Sequence, residues 1–72
     1  MNDIFEVEKY RVKAPIEQGV KLRNTILSKG GEIIIERYED KYITEFIGSI
    51  DSLADKYKDI EINLIGRELR CR

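Results

Sequence analysis

Read for its apolar positions, the chain switches between two periods. Residues 4–13 repeat with period two. Phe5 and Val7 alternate with Glu6 and Glu8, then Tyr10 and Val12 alternate with Lys9, Arg11 and Lys13. That is a strand pattern. Residues 16–29 change to helical spacing. Ile16, Val20 and Leu27, with the neighbouring row Gly19, Leu22 and Ile26, make one apolar face. Gly30-Gly31 stops the helix, with Gly30 expected in the left-handed position after its end. Residues 32–38 hold the β-branched run Ile33-Ile34-Ile35 and predict a second strand. Glu39-Asp40 is the expected turn, and residues 41–47 a third strand. After Gly48, Ser49 suits a helix cap. Ile50, Leu53, Ala54 and Tyr57 then fall at i, i+3, i+4 and i+7, a short helix. Asp51 at its start and Lys56 and Lys58 at its end match the helix dipole. Residues 60–72 form the last strand, where Ile60, Ile62 and Leu64 alternate with Glu61 and Asn63.

The order is βαββαβ. Right-handed crossovers turn it into two interlocked βαβ units. The expected fold is an α+β, ferredoxin-like sandwich in one domain spanning residues 1–72. Its sheet is four-stranded and antiparallel, in the order 4-1-3-2, with two helices on one face. Ile33, Ile35, Ile43 and Ile47 are expected towards the helices. Ile34, Tyr38, Tyr42 and Phe46 are expected on the opposite, open face.

The first and last strands share an irregularity. The first is apolar at odd positions early (Phe5, Val7) and even positions late (Tyr10, Val12). The last is apolar at even positions early (Ile60, Ile62, Leu64) and odd positions late (Ile65, Leu69, Cys71). As antiparallel neighbours they switch at the same level. A one-residue slip sends every later side chain to the other face. Either matched bulges near 8–9 and 64–66 keep all apolar residues under the helices, or the strand pair projects past the helices and buries its far end against a partner. We favour the second.

Size supports that choice. A chain of 72 residues buries only about 60% of the surface that its unfolded form exposes, so its own core leaves little margin. Cys71 is the only cysteine and histidine is absent, so neither a disulfide nor the usual zinc site is available. No metal or other cofactor is expected. Self-association is the remaining staple. A net charge of -1 gives no overall pull towards nucleic acid. No apolar run reaches membrane-spanning length, the first residues lack the features of a signal peptide, and a lone thiol fits a reducing interior. The expected location is cytoplasmic.

These points predict a small non-enzymatic module that binds a protein, including a second copy of itself. Such modules act as regulatory subunits, inhibitors or accessory subunits of larger machines. The expected contact residues are Phe5, Val7, Ile34, Tyr38, Tyr42, Phe46, Ile65 and Leu69, because an exposed apolar sheet face marks an interaction surface. A second use of the same aromatics is base stacking, with Phe5, Tyr42 and Phe46 as a platform for single-stranded RNA. The third strand lacks the glycine and central aromatic of the RNA-recognition signature, and Glu6, Glu8 and Glu45 are a poor phosphate path. Lys9, Arg11 and Lys13 on one strand face, and Arg67, Arg70 and Arg72 at the end, could bind phosphates or an acidic partner. They read better as charges that keep edges and termini soluble, with Lys9, Arg11 and Lys13 pairing with Glu61 and its neighbours across the ladder. Glu36, Glu39 and Asp40 read as solvated turn residues, and Cys71 as an idle terminal thiol.

One short motif points elsewhere. Gln18-Gly19-Val20-Lys21-Leu22-Arg23 follows a strand and opens a helix. It resembles the acylphosphatase signature Gln-Gly-Val-x-Phe-Arg. That resemblance implies the same ferredoxin-like fold, an anion held by loop amides at a helix start, and hydrolysis of an acyl phosphate with Arg23 on the phosphate. Gln18, Gly19, Val20 and Arg23 are the implied anion-binding set. Ala14 stands where that family uses a glycine, Pro15 removes an amide, and residues 32–38 contain no asparagine to position water.

Overall fold

The computed structural model describes residues 3–50, 53–57 and 59–71, with Ala54 by its backbone alone. β1 (Ile4–Ala14) leads through one 3-10 turn (Ile16–Gln18) into α1 (Gly19–Ser28). Then come β2 (Glu32–Tyr38), β3 (Tyr42–Ile47), α2 (Leu53–Lys56) and β4 (Glu61–Cys71). The strands form one antiparallel sheet in the order β2-β3-β1-β4, which is 4-1-3-2 counted from the other edge. The helical layer is thinner than expected. α1 has ten residues, but α2 is a single turn. Asp51, Lys58 and Arg72 lie outside the described residues, as does the Ala54 side chain.

α1 stops as its sequence predicts. Gly30 has φ +82°, open to a residue without Cβ. Its amide donates to the Leu27 carbonyl and the Gly31 amide to the Ile26 carbonyl, the paired bonds of a Schellman end. The start of α1 is less regular. Pro15 is extended (φ -55°, ψ 142°). The 3-10 turn lies between it and the helix, and delays the helix to Gly19. Only the row Gly19, Leu22 and Ile26 is buried. Ile16, Val20 and Leu27, expected on the same face, stay exposed. A ten-residue helix over a narrow sheet buries one stripe, not two.

The sheet faces reverse one expectation. Directly opposed residues in antiparallel strands share a face. Tyr10 opposes Phe46, Val12 opposes Thr44, and Ala14 opposes Tyr42. These six face the helices, and all but Tyr10 are fully buried. Tyr42 and Phe46 are therefore core residues, not open-face residues. Leu22, Ile26, Leu53 and Tyr57 complete the core, with Ile33, Ile50, Ile60 and Ile62 packed around it. Large aromatics fill the space that a short helix and a single turn leave over the sheet. Ile43 and Glu45 are left on the other face.

Two bulges set the remaining faces. In β2 the pairing with β3 slips between Ile33 and Ile35, so Ile34 is the extra residue. Ile33 shares the helix side with Phe46, whereas Ile35 does not. Glu36 and Tyr38 return to the helix side, opposite Thr44 and Tyr42. The slip disturbs the ladder at Ile35, and the buried Thr44 hydroxyl donates to the Ile35 carbonyl at 2.9 Å. In β4 the pairing with β1 slips between Lys9 and Tyr10, with Ile65 as the extra residue. β1 carries no matching bulge.

Candidate functional site

Beyond Lys9, the first β1 residue paired with β3, the sheet narrows to two strands. Residues 4–8 of β1 pair with residues 67–71 of β4 and with no other described strand. This ribbon, here called the arm, gives the molecule its length, 45 Å against 20 and 16 Å. The unmatched bulge decides what the arm displays. β1 runs straight through, so Phe5 and Val7 lie on the face away from the helices. β4 shifts by one, so Leu69 and Cys71 stay on the helix side of the sheet with Ile62 and Leu64, opposite Glu6 and Ile4. Neither described helix covers them. Leu69 is 73% exposed and Ile4 66%; Leu64 and Ile65 are also exposed, and Phe5 and Val7 are half-buried.

Ion pairs lace the arm. Arg67 sits 3.5 Å from Glu6 and 3.6 Å from Glu8, and Arg70 sits 3.6 Å from Glu68. Arg70 also donates to Glu32 at 2.9 Å, reaching from the arm tip to the start of β2. Hydrogen bonding to Glu32 raises the Arg70 pKa, so the cation is fixed at any working pH. Glu32 opposes Ile47 across the ladder. Ile47 is buried to 6% exposure although its face carries no helix. The Arg70–Glu32 bond thus links the arm to the β2 side of the sheet.

The structure divides the residues expected at a partner surface. Phe5, Val7 and Leu69 belong to the arm, and Ile65 is the bulged residue just before it. Ile34 is exposed at its bulge on the opposite edge strand, and Tyr38 is half exposed at the end of β2. Tyr42 and Phe46 are fully buried and leave the site. The stacking platform of Phe5, Tyr42 and Phe46 is not assembled, because two of its three rings lie in the core.

At the start of α1 the motif residues come together, but Arg23 and the backbone amides of Gln18 and Gly19 are engaged. The Gln18 amide donates to the Pro15 carbonyl at 3.0 Å and the Gly19 amide to the Ile16 carbonyl. Gly19 packs against the Tyr42 ring: a Cβ there would stand 2.9 Å from Tyr42 Cγ. That contact accounts for the glycine without an anion. Arg23 meets Glu36 at 3.2 Å. Glu36 also accepts from the Tyr38 and Tyr42 hydroxyls at 3.1 and 3.2 Å. Val20 is exposed. The buried Gln18 Oε1 has no hydrogen-bond partner among the described residues, and Gln18 lines a surface pocket of about 420 Å³ with Lys21, Lys56 and Tyr57.

Glu36 is the residue that sequence reasoning misplaced. It is a half-buried hub joining α1, β2 and β3, not a solvated turn acid. Its effect reaches Tyr42, whose pKa is pushed up to about 12, first by burial and further by Glu36. Within the basic run of β1, Arg11 bonds Glu45 of β3 at 2.9 Å, not Glu61, whereas Lys13 stands directly opposite Glu61 in the ladder. Cys71 is exposed. No helix among the described residues is long and apolar enough to cross a membrane. No family model matches the chain, and neither does any curated protein or solved structure.

Proposed function

We propose that the chain is a small protein-binding module of the ferredoxin-like βαββαβ type, and that it self-associates through its β1–β4 arm. α2 is the shortened second helix of that pattern. The observation that carries the reading is the arm itself. It is a two-stranded ribbon, a form marginally stable in water by itself. It extends past the helical layer with Ile4 and Leu69 about two-thirds or more exposed. Exposed aliphatics on a narrow, ion-paired ribbon suit contact with a second protein surface. The main core holds few residues, so burial of the arm adds a needed share of stability. In this reading the module regulates or inhibits a larger machine, and the arm is the part that docks.

Sedimentation across micromolar concentrations tests it. The wild-type chain is expected to form a dimer. Leu69→Asp or Ile4→Asp weakens the dimer by roughly tenfold or more while the far-UV spectrum stays native. Val20→Lys and Leu27→Lys, on the exposed row of α1, leave it unchanged. A wild-type chain that sediments as a monomer throughout, or a dimer lost only with the α1 variants, would sink the reading.

A further inference from the structure

β4 is an edge strand. Among the described residues no strand lies on its outer side, so alternate backbone groups along it point outwards, a ready template for another strand. We propose that two copies of the chain join edge to edge through β4, antiparallel, about a two-fold axis at Leu69. The proposal rests on self-association through the arm and names its partner surface and register.

Symmetry restricts the choices. In a two-fold antiparallel pairing, if residue i opposes residue j of the partner, then j opposes i. In one continuous sheet both also lie on the same side, so each register is centred on a single residue. The charges of β4 sort these centres. A centre at Arg67, Glu68 or Arg70 sets that residue against its own copy, and like charges directly opposed are destabilising. A centre at Gly66 puts the Ile65 bulge into the new ladder, where bulges break pairing. A centre at Leu69 avoids both. It sets Leu69 against the partner's Leu69 once, and Arg67 against the partner's Cys71 and Glu68 against the partner's Arg70 twice each.

The neighbouring strands support this register. Glu6 opposes Leu69 in β1, so the two leucines meet in the middle of a row flanked by glutamates, and each covers the other. Leu69 is the most exposed of the described large apolar side chains, at 73%. On the opposite side of the sheet, Glu68 and Arg70 already lie 3.6 Å apart within one chain. The pairing completes a square of two glutamates and two arginines. The arm becomes four strands wide, past the width at which a ribbon is stable by itself.

Charge exchange tests the register. Glu68→Arg and Arg70→Glu each set like charges opposite one another twice. Each variant alone is expected to dimerise about a hundredfold more weakly than wild type by sedimentation equilibrium. An equimolar mixture of the two variants recovers a dimer within about tenfold of wild type, since each chain then opposes its complement. Recovery also shows that both variants remain folded. If the wild type dimerises and the single variants do so equally well, or their mixture fails to recover, the Leu69 register is overturned while self-association stands. A wild type that stays monomeric overturns both.

Discussion

Gly19 and Tyr42 together decide which side of β3 becomes the core. Tyr42 lies across the α1 backbone where residue 19 has no side chain. Alanine is the better helix former by about 1 kcal/mol, yet its Cβ would meet three ring atoms at 2.9 to 3.1 Å. Those atoms belong to a fully buried side chain. Gly19→Ala is therefore expected to destabilise the fold by roughly 1–3 kcal/mol, read from the midpoint of urea denaturation. A neutral or stabilised variant would show that the ring moves freely. The Tyr42 hydroxyl carries a second prediction. Its folded pKa, about 12, lies above the ordinary 10.0. The contribution of the neutral phenol is thus fully present below pH 10 and is lost as the pH rises through about 12. Denaturation midpoints from pH 9 to pH 12 are expected to fall more steeply for wild type than for Tyr42→Phe. Parallel curves would contradict it. Tyr38 is raised too, by desolvation and then Glu36, so the variant is needed to separate the two rings.

At the scale of elements, the strands and α1 can be read from apolar period and from Gly30, but the faces of the strands cannot. β3 is apolar on both sides, with Tyr42 and Phe46 against Ile43 and Ile47. Alternation alone gives both assignments equal standing. The choice depends on how much volume the helical layer supplies and on the notch at Gly19, both of which are tertiary. The run Ile33-Ile34-Ile35 hides its bulge for a related reason: three like residues show no change of parity. The β4 bulge does show one, because Leu64 and Ile65 are apolar neighbours that interrupt an alternation. Of the two readings of the shared parity change, matched bulges need one in β1, which carries none; its parity change reflects a strand that leaves the helical layer and turns Phe5 and Val7 towards the other face. The arm was therefore visible in outline, whereas the Glu36 hub was not. Nothing near residue 36 in the chain hints that Arg23 and Tyr42 converge on it. The two-strand width of the arm has a measurable result. Amides of residues 4–8 and 67–71 are expected to exchange with solvent faster than those of residues 10–14 and 42–46 in dilute protein, and to slow as concentration rises. Protection independent of concentration would mean that the arm is stable without a partner.

The whole molecule is a short body with a long handle. Its radius of gyration is 12.7 Å, against about 11 Å expected for a compact domain of this length. Surface ion pairs along the handle contribute little individually to stability. Under the proposed docking role, the core under α1 keeps the shape and the handle presents the surface. The outer strands meet in the handle, where Ile4 pairs with Cys71. That pairing joins the first described strand to the last. During synthesis β1 can pair with β3 as soon as the middle of the chain emerges, but its other edge stays open until β4 has left the ribosome. Such end-to-end closure makes folding slow relative to that of helical domains of similar size. A premature stop that removes only the last strand leaves β1 as a raw edge, so truncated products are expected to aggregate.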